Sequence, residues 1–369
     1  MDVLLIILAG AIVLGFLVAI HEGGHFLAAR AFGVRVSEFM IGLPGPHIGV
    51  QRGETKFGLT AIPLGGYARV CGMEPGEMSP HLQAAMTSVY ARGTANMEDV
   101  AADCRITDDE AYEALEELVE WGTISGPKKT DEFNTYRVPE RKPTGLQQRR
   151  ARGHKTALFE PLEEGKPHRL ADPQAFFRSE YRQQYRSLPT WKRMVILLAG
   201  PGVNLLFAMA AFVFIYSVLG FDYQNTQTGE VTHMTVDPLR ATQAGFAYIG
   251  MVIQAVAGLF NPQTVAETVS NSTSVVGIAV MSKSAFEAGI TSALSFTAML
   301  SVSLGIMNLL PIPPLDGGRF VVEAYQRIRR KVVGVRAMNY LSFAGMALFM
   351  LLFIVMMNQD IQRFIFGNW

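Results

Sequence analysis

The chain has 369 residues, 32 basic and 32 acidic side chains, and a mean hydropathy of +0.21. Its length allows one to three soluble domains, but the apolar residues gather in long runs rather than in alternating patterns, which excludes an ordinary soluble enzyme. Only two cysteines occur, Cys71 and Cys104. Neither has a cysteine partner at short spacing, so neither reads as a metal ligand.

In chain order, the apolar run 3–20 continues as a helix to residue 32, and 1–32 is expected to form the first membrane span. Its acidic start at Asp2, with basic residues only beyond it, sets it apart from a signal peptide, so it is expected to stay in the mature protein. Residues 33–80 hold β-leaning runs at 57–62 and 67–70, broken by Gly and Pro, and read as a β-hairpin region lying at the membrane face. Residues 81–140 change character. Two short helical patterns precede Ile106-Thr-Asp-Asp-Glu, a cap before the amphipathic stretch 111–121, and a strand-like run follows at 134–138. That order is the one of a small winged-helix-like α/β module inserted into the chain.

Residues 141–192 are basic and read either as a linker along an anionic inner leaflet or as a solvated charge run. A second span is expected at 193–220. A short extracytoplasmic segment follows at 221–260, then an amphipathic lead-in at 261–290 and a third span at 291–318. The remainder divides into a basic cytoplasmic helix at 319–335, a fourth span at 336–358 and a tail at 359–369. The predicted fold class is thus mainly α, a polytopic membrane protein with four transmembrane helices. Charge orients it. Residues 31–192 carry 21 Lys and Arg and 319–336 carry six, whereas 221–290 hold only Arg240 and Lys283. Placing both basic stretches in the cytoplasm leaves both termini extracytoplasmic. Any disulfide between Cys71 and Cys104 would then be reduced.

The chemistry-bearing motif is His21-Glu22-Gly23-Gly24-His25 on the first span. A separation of four residues puts both imidazoles on one helical face, about 6 Å apart along the axis, which suits two ligands of one zinc ion. Glu22 is placed to take a proton from an attacking water. Ionisable groups inside an apolar helix are costly unless they face a functional interior. Two histidines and a water leave one protein ligand missing for a catalytic zinc, and a carboxylate would balance the charge. Asp316, in Pro311-Ile-Pro-Pro-Leu-Asp-Gly-Gly at the end of the third span, could supply it or could be a plain Asp-Gly turn. Topology favours the ligand, because both motifs lie toward the same side of the membrane.

These motifs, together with Ile62-Pro-Leu-Gly-Gly-Tyr67, Gly200-Pro-Gly-Val-Asn204 and the segment from Asn308 to Gly318, resemble the site-2 protease family of intramembrane zinc metalloproteases, of the bacterial regulator-of-sigma-E-protease type. The resemblance implies one Zn2+ per chain held by His21, His25 and Asp316, with Glu22 as catalytic base. It implies a core of three spans, a peripheral fourth, and cleavage of single-span substrates near the cytoplasmic face of the bacterial inner membrane. Asn204 and Asn308 match the family's polar residues near the substrate, although both could serve as caps or interhelical hydrogen bonds. The hairpin region with Gly65, Gly66 and Tyr67 resembles the β-element that receives the substrate in extended form. That is physically apt, since a helical carbonyl must unwind before attack.

Two departures stand out. Between the second and third spans, only 229–258 resembles the front of a PDZ domain, a truncated PDZ-like segment for which no peptide binding is expected. The insertion at 81–140 is foreign to the family type; it suits a cytoplasmic protein partner, and its acidic run at 108–120 argues against nucleic acid. The lipid bilayer and single-span membrane proteins are the other expected partners. The competing functions are a catalytically idle zinc-bound scaffold and a membrane-tethered regulator acting through the module. A metal transporter would want several sites in series, and the remaining histidines form no such row.

Overall fold

A computed structural model describes residues 2–62, 65–131, 133–141, 162–224, 230–364 and 366. The basic run around residues 147–155 and, in the final tail, residues 365 and 367–369 lie outside these. The chain opens with α1 (Asp2–Ala31), apolar on all sides over most of its length, as a helix bathed in lipid must be. It ends where Gly33 takes φ +82 and the amides of Val34 and Gly33 turn back to the carbonyls of Ala29 and Arg30.

Next come β1 (Val36–Ile41), β2 (His47–Arg52), β3 (Thr55–Thr60) and β4 (Gly66–Val70). They form one sheet in the order β2-β3-β1-β4, with β1 and β3 parallel and the other pairs antiparallel. The predicted hairpin region is therefore a four-stranded mixed sheet. Its β4 edge lies against α1, while Ile48, Val50 and Leu59 are exposed on the far side.

The insertion follows as α2 (Leu82–Arg92), β5 (Thr94–Ala95), α3 (Met97–Cys104), α4 (Asp108–Glu120) and β6 (Tyr136–Arg137), with β5 and β6 paired antiparallel. Asn96 and Thr107 start α3 and α4 with capping boxes, the Thr107 signal being the one legible in the sequence. Met86, Tyr90, Leu115, Leu118, Trp121 and Tyr136 make a core of its own. That core extends further than 140. Leu162 is part of it, and Phe176, Phe177 and Tyr181, the last three on α5 (Pro173–Tyr181), pack against it. The second half of the predicted linker is thus structured module, anchored by aromatic residues that a charge count overlooks.

The second span is α6 (Thr190–Phe214), extended by a π-helical turn at Ile215–Leu219. A hairpin of β7 (Phe221–Gln224) and β8 (Val231–Met234) caps it. Here the PDZ-like expectation is corrected: beyond β8 the chain forms one long helix, α7 (Pro238–Gly258), where a PDZ front would need strands. Asp237 accepts from the amides of Leu239 and Arg240, and Pro238 occupies the first turn, so Asp-Pro here is a helix start. α7 packs on α6 and on α10 (Ile290–Asn308) through Tyr248, Ile249 and Val252.

Between them in sequence lie α8 (Val265–Asn271) and α9 (Val275–Glu287). The chain closes with α11 (Asp316–Arg329) and α12 (Val335–Phe364). Four helices are long and apolar enough to cross a membrane: Val3–Ala31, Thr190–Leu219, Ile290–Asn308 and Val335–Phe364. They are the four predicted spans, with two boundaries corrected. The third span stops at Asn308 and Asp316 begins the following helix rather than ending the span; the fourth continues to Phe364.

Candidate metal centre

His21 and His25 sit one turn apart on α1, both buried, with their Nε2 atoms 3.3 Å from each other. Asp316 Oδ2 lies 3.1 Å from the first and 3.2 Å from the second. A tetrahedral zinc with ligand bonds of about 2.0–2.1 Å has ligand-to-ligand edges of roughly 3.3 Å, so the three atoms stand at the separations one ion requires. The donor set itself fits: two imidazoles and one carboxylate leave a fourth position for water or substrate.

The outer contacts orient the ligands. His25 Nδ1 donates to the Ile196 carbonyl at 2.8 Å, which fixes the tautomer with Nε2 free for a metal. Pro201 lies inside α6 and removes one ladder hydrogen bond from this stretch of the helix. Gly200 is required here, because a Cβ would stand 2.3 Å from His25 Nε2. Asn204 is fully buried, its Nδ2 lies 3.4 Å from His21 Nδ1, and its Oδ1 has no partner. A metal-ligating Nε2 leaves the His21 proton on Nδ1, and turning the Asn204 amide by 180° presents Oδ1 to that proton. Ser301 on α10 donates to the Asn204 carbonyl at 2.9 Å and ties the third span to the same point. Asp316 is held in place by the glycines after it: a Cβ on Gly317 or Gly318 would meet the backbone of 309–313 at 2.2 Å.

Glu22 faces the sheet, and its Oε2 accepts from the Ala68 amide at 2.8 Å. Ala68 is the residue the sequence reading missed. Nothing in an alanine announces a role; only the strand register turns its N–H outward. Of the predicted substrate residues, Gly66 packs where a Cβ would meet Val18 and Glu22, and Gly65 has φ +87. Tyr67 leans away toward Glu38 and Arg69. Asn308 donates to the Leu304 carbonyl at 3.1 Å within its own helix and is not part of the His21, His25 and Asp316 cluster.

A carboxylate and two histidines converging beside the apolar helices, with a glutamate next in sequence to the first histidine, suit a membrane-embedded metallopeptidase. The chain belongs to peptidase family M50, which it matches over residues 9–352. It is 26% identical to the zinc metalloprotease RasP of Oceanobacillus iheyensis, over 97% of this chain and 99% of that one. It is 24% identical to the regulator of sigma-W protease RasP of Bacillus subtilis, over 97% and 98%. A putative zinc metalloprotease of Campylobacter jejuni is 26% identical over 97% and 94%. The chain is accordingly a multi-pass membrane zinc metalloprotease of the site-2 protease family.

Proposed function

We propose that the chain hydrolyses peptide bonds within or near the membrane segments of single-span proteins, with His21, His25 and Asp316 holding the zinc and Glu22 acting as base. The observation that carries this reading is the convergence of His21, His25 and Asp316, with Glu22 of the same helix hydrogen-bonded to the edge strand β4. When bound, zinc supplies Lewis acidity to the attacking water and to the scissile carbonyl. Glu22 takes the proton of that water and returns it to the leaving amine.

The outward amide of Ala68 supports addition of the substrate as a fifth strand on β4. Such pairing would satisfy an unwound substrate backbone and hold one carbonyl beside the base. The distribution of Lys and Arg favours an active site toward the cytoplasmic face of a bacterial inner membrane, with both termini outside. The sigma-W role in the name of one relative favours an anti-sigma factor as substrate; a remnant signal peptide is the other single-span class that fits. The winged-helix-like module on the cytoplasmic side suits a protein partner.

The test is cleavage of a tagged single-span protein by purified enzyme in liposomes, wild type against Glu22→Gln at equal zinc content. Cutting within the span by wild type alone supports the reading. Zinc-loaded wild type that cuts no member of a substrate panel would favour an idle scaffold.

A further inference from the structure

Glu22 and the receiving strand share one hydrogen bond. In β4, Tyr67 and Ala68 pair across to Met40 and Phe39 of β1. Ladder hydrogen bonds alternate along an antiparallel pair, so every second residue turns its N–H away from the neighbour. Ala68 is such a residue: its amide gives its proton to Glu22 Oε2 at 2.8 Å. β4 is an edge strand, and Gly66 brings it so near α1 that a Cβ would stand 2.6 Å from Val18 and 3.5 Å from Glu22 Cγ. A strand laid on this edge beside the two histidines therefore meets an N–H that is already engaged.

We propose that the Ala68 amide is a positioning group that holds Glu22 in the free enzyme and passes to a substrate carbonyl on strand addition, releasing the carboxylate toward the attacking water. One N–H cannot serve two acceptors at full strength, and a buried strand carbonyl left without a donor is costly, so the substrate displaces Glu22 rather than sharing with it. The base is tied when no strand is bound and free when one is. Peptide that reaches the site without pairing on β4 meets a carboxylate engaged elsewhere, which favours extended substrates over loose ones. This inference rests on the strand-addition reading above.

The test is amide hydrogen exchange at Ala68, read by mass spectrometry with electron-transfer fragmentation on zinc-loaded full-length protein in detergent. Exchange should be slow in the wild type without substrate and faster by roughly tenfold or more in Glu22→Ala, where the acceptor is gone. Glu22→Gln keeps an acceptor oxygen and should restore most of the protection. Adding a single-span protein that co-purifies with Glu22→Ala should make the Ala68 amide slow again. An Ala68 rate equal in wild type and Glu22→Ala, or one that stays fast in the Glu22→Ala complex, overturns the proposal. Cleavage by the wild type is scored separately, so a protease that cuts without these exchange changes refutes the hand-over alone, and a chain that never cuts refutes the protease reading.

Discussion

Asn204 is where a side chain with no metal-binding role of its own should still decide metal affinity. Removing its amide frees the His21 ring to turn and leaves a buried Nδ1 proton unpaired. Asn204→Ala is therefore expected to weaken zinc binding by about 10–100-fold while the protein stays folded, as measured by competition with a chromogenic chelator. Glu120 offers a pH handle far from the metal. Its carboxylate accepts from the amides of Gly72 and Met73, just beyond β4. Burial, with the neighbouring Glu74 charge, pushes it up to about 7 against those amides and Arg186. A carboxyl whose folded value stands above its unfolded one holds its proton more tightly when folded. Its contribution is thus fully present below the unfolded value of 4.5 and is lost as pH rises through 7. Glu120→Gln, which keeps one acceptor oxygen, should raise the thermal midpoint at pH 8 and leave it nearly unchanged at pH 5.

Between elements, one buried ion network docks the inserted module beside the first span. Arg35, two residues past the Gly33 turn, donates to both oxygens of Glu180 on α5, at 2.8 and 3.2 Å, and to Glu54 between β2 and β3 at 3.2 Å. Arg141 reaches Glu180 at 2.8 Å, and Arg35 also reaches the Trp121 carbonyl at 3.1 Å. The two guanidinium groups outweigh burial and hold Glu180 far below the usual carboxylate range. Arg35→Met leaves Glu180 with Arg141 as its one guanidinium partner, so it should destabilise the docked module by about 1–3 kcal/mol. Faster trypsin cutting within 81–187 of detergent-purified protein would register this; unchanged cutting would contradict it. The same scale holds the reinterpreted α7. No charged residue occurs from Ala241 to Gly258, and Tyr248, Ile249 and Val252 pack against the cluster that holds Ala298 and Val302, midway along the third span. Such depth implies contact with acyl chains on its outer face. With Cys71 and Cys104 replaced, Phe246→Cys should resist an impermeant maleimide in intact membranes, whereas Thr232→Cys on β8 should react.

Across the whole molecule, chelation should couple chemistry to stability. Zinc that binds only the folded arrangement of α1 and α11 stabilises it, so removal by a strong chelator should lower the thermal midpoint and abolish cleavage, with both recovering on readdition. The sequence by itself determined the four spans, because a membrane crossing demands some 20 apolar residues in succession and no tertiary contact alters that demand. It also determined the His21, Glu22 and His25 face, since helical spacing is local geometry. Asp316 was reachable only by topology and family resemblance, because a lone Asp-Gly in a Pro-rich turn carries no chemistry of its own. The tertiary structure decided the rest. Alternating strand register aims the Ala68 amide at Glu22, and long-range packing makes Asn204 an interhelical partner of His21. Aromatic residues on α5 extend the module through a stretch whose charge reads as linker. Resemblance to a PDZ front misjudged 238–258, where an Asp-Pro start and an unbroken charge-free run favour helix, and the packing faces of α6 and α10 settle where it lies. Apart from that helix start, each of these rests on residues far apart in sequence meeting in space, which no local pattern encodes.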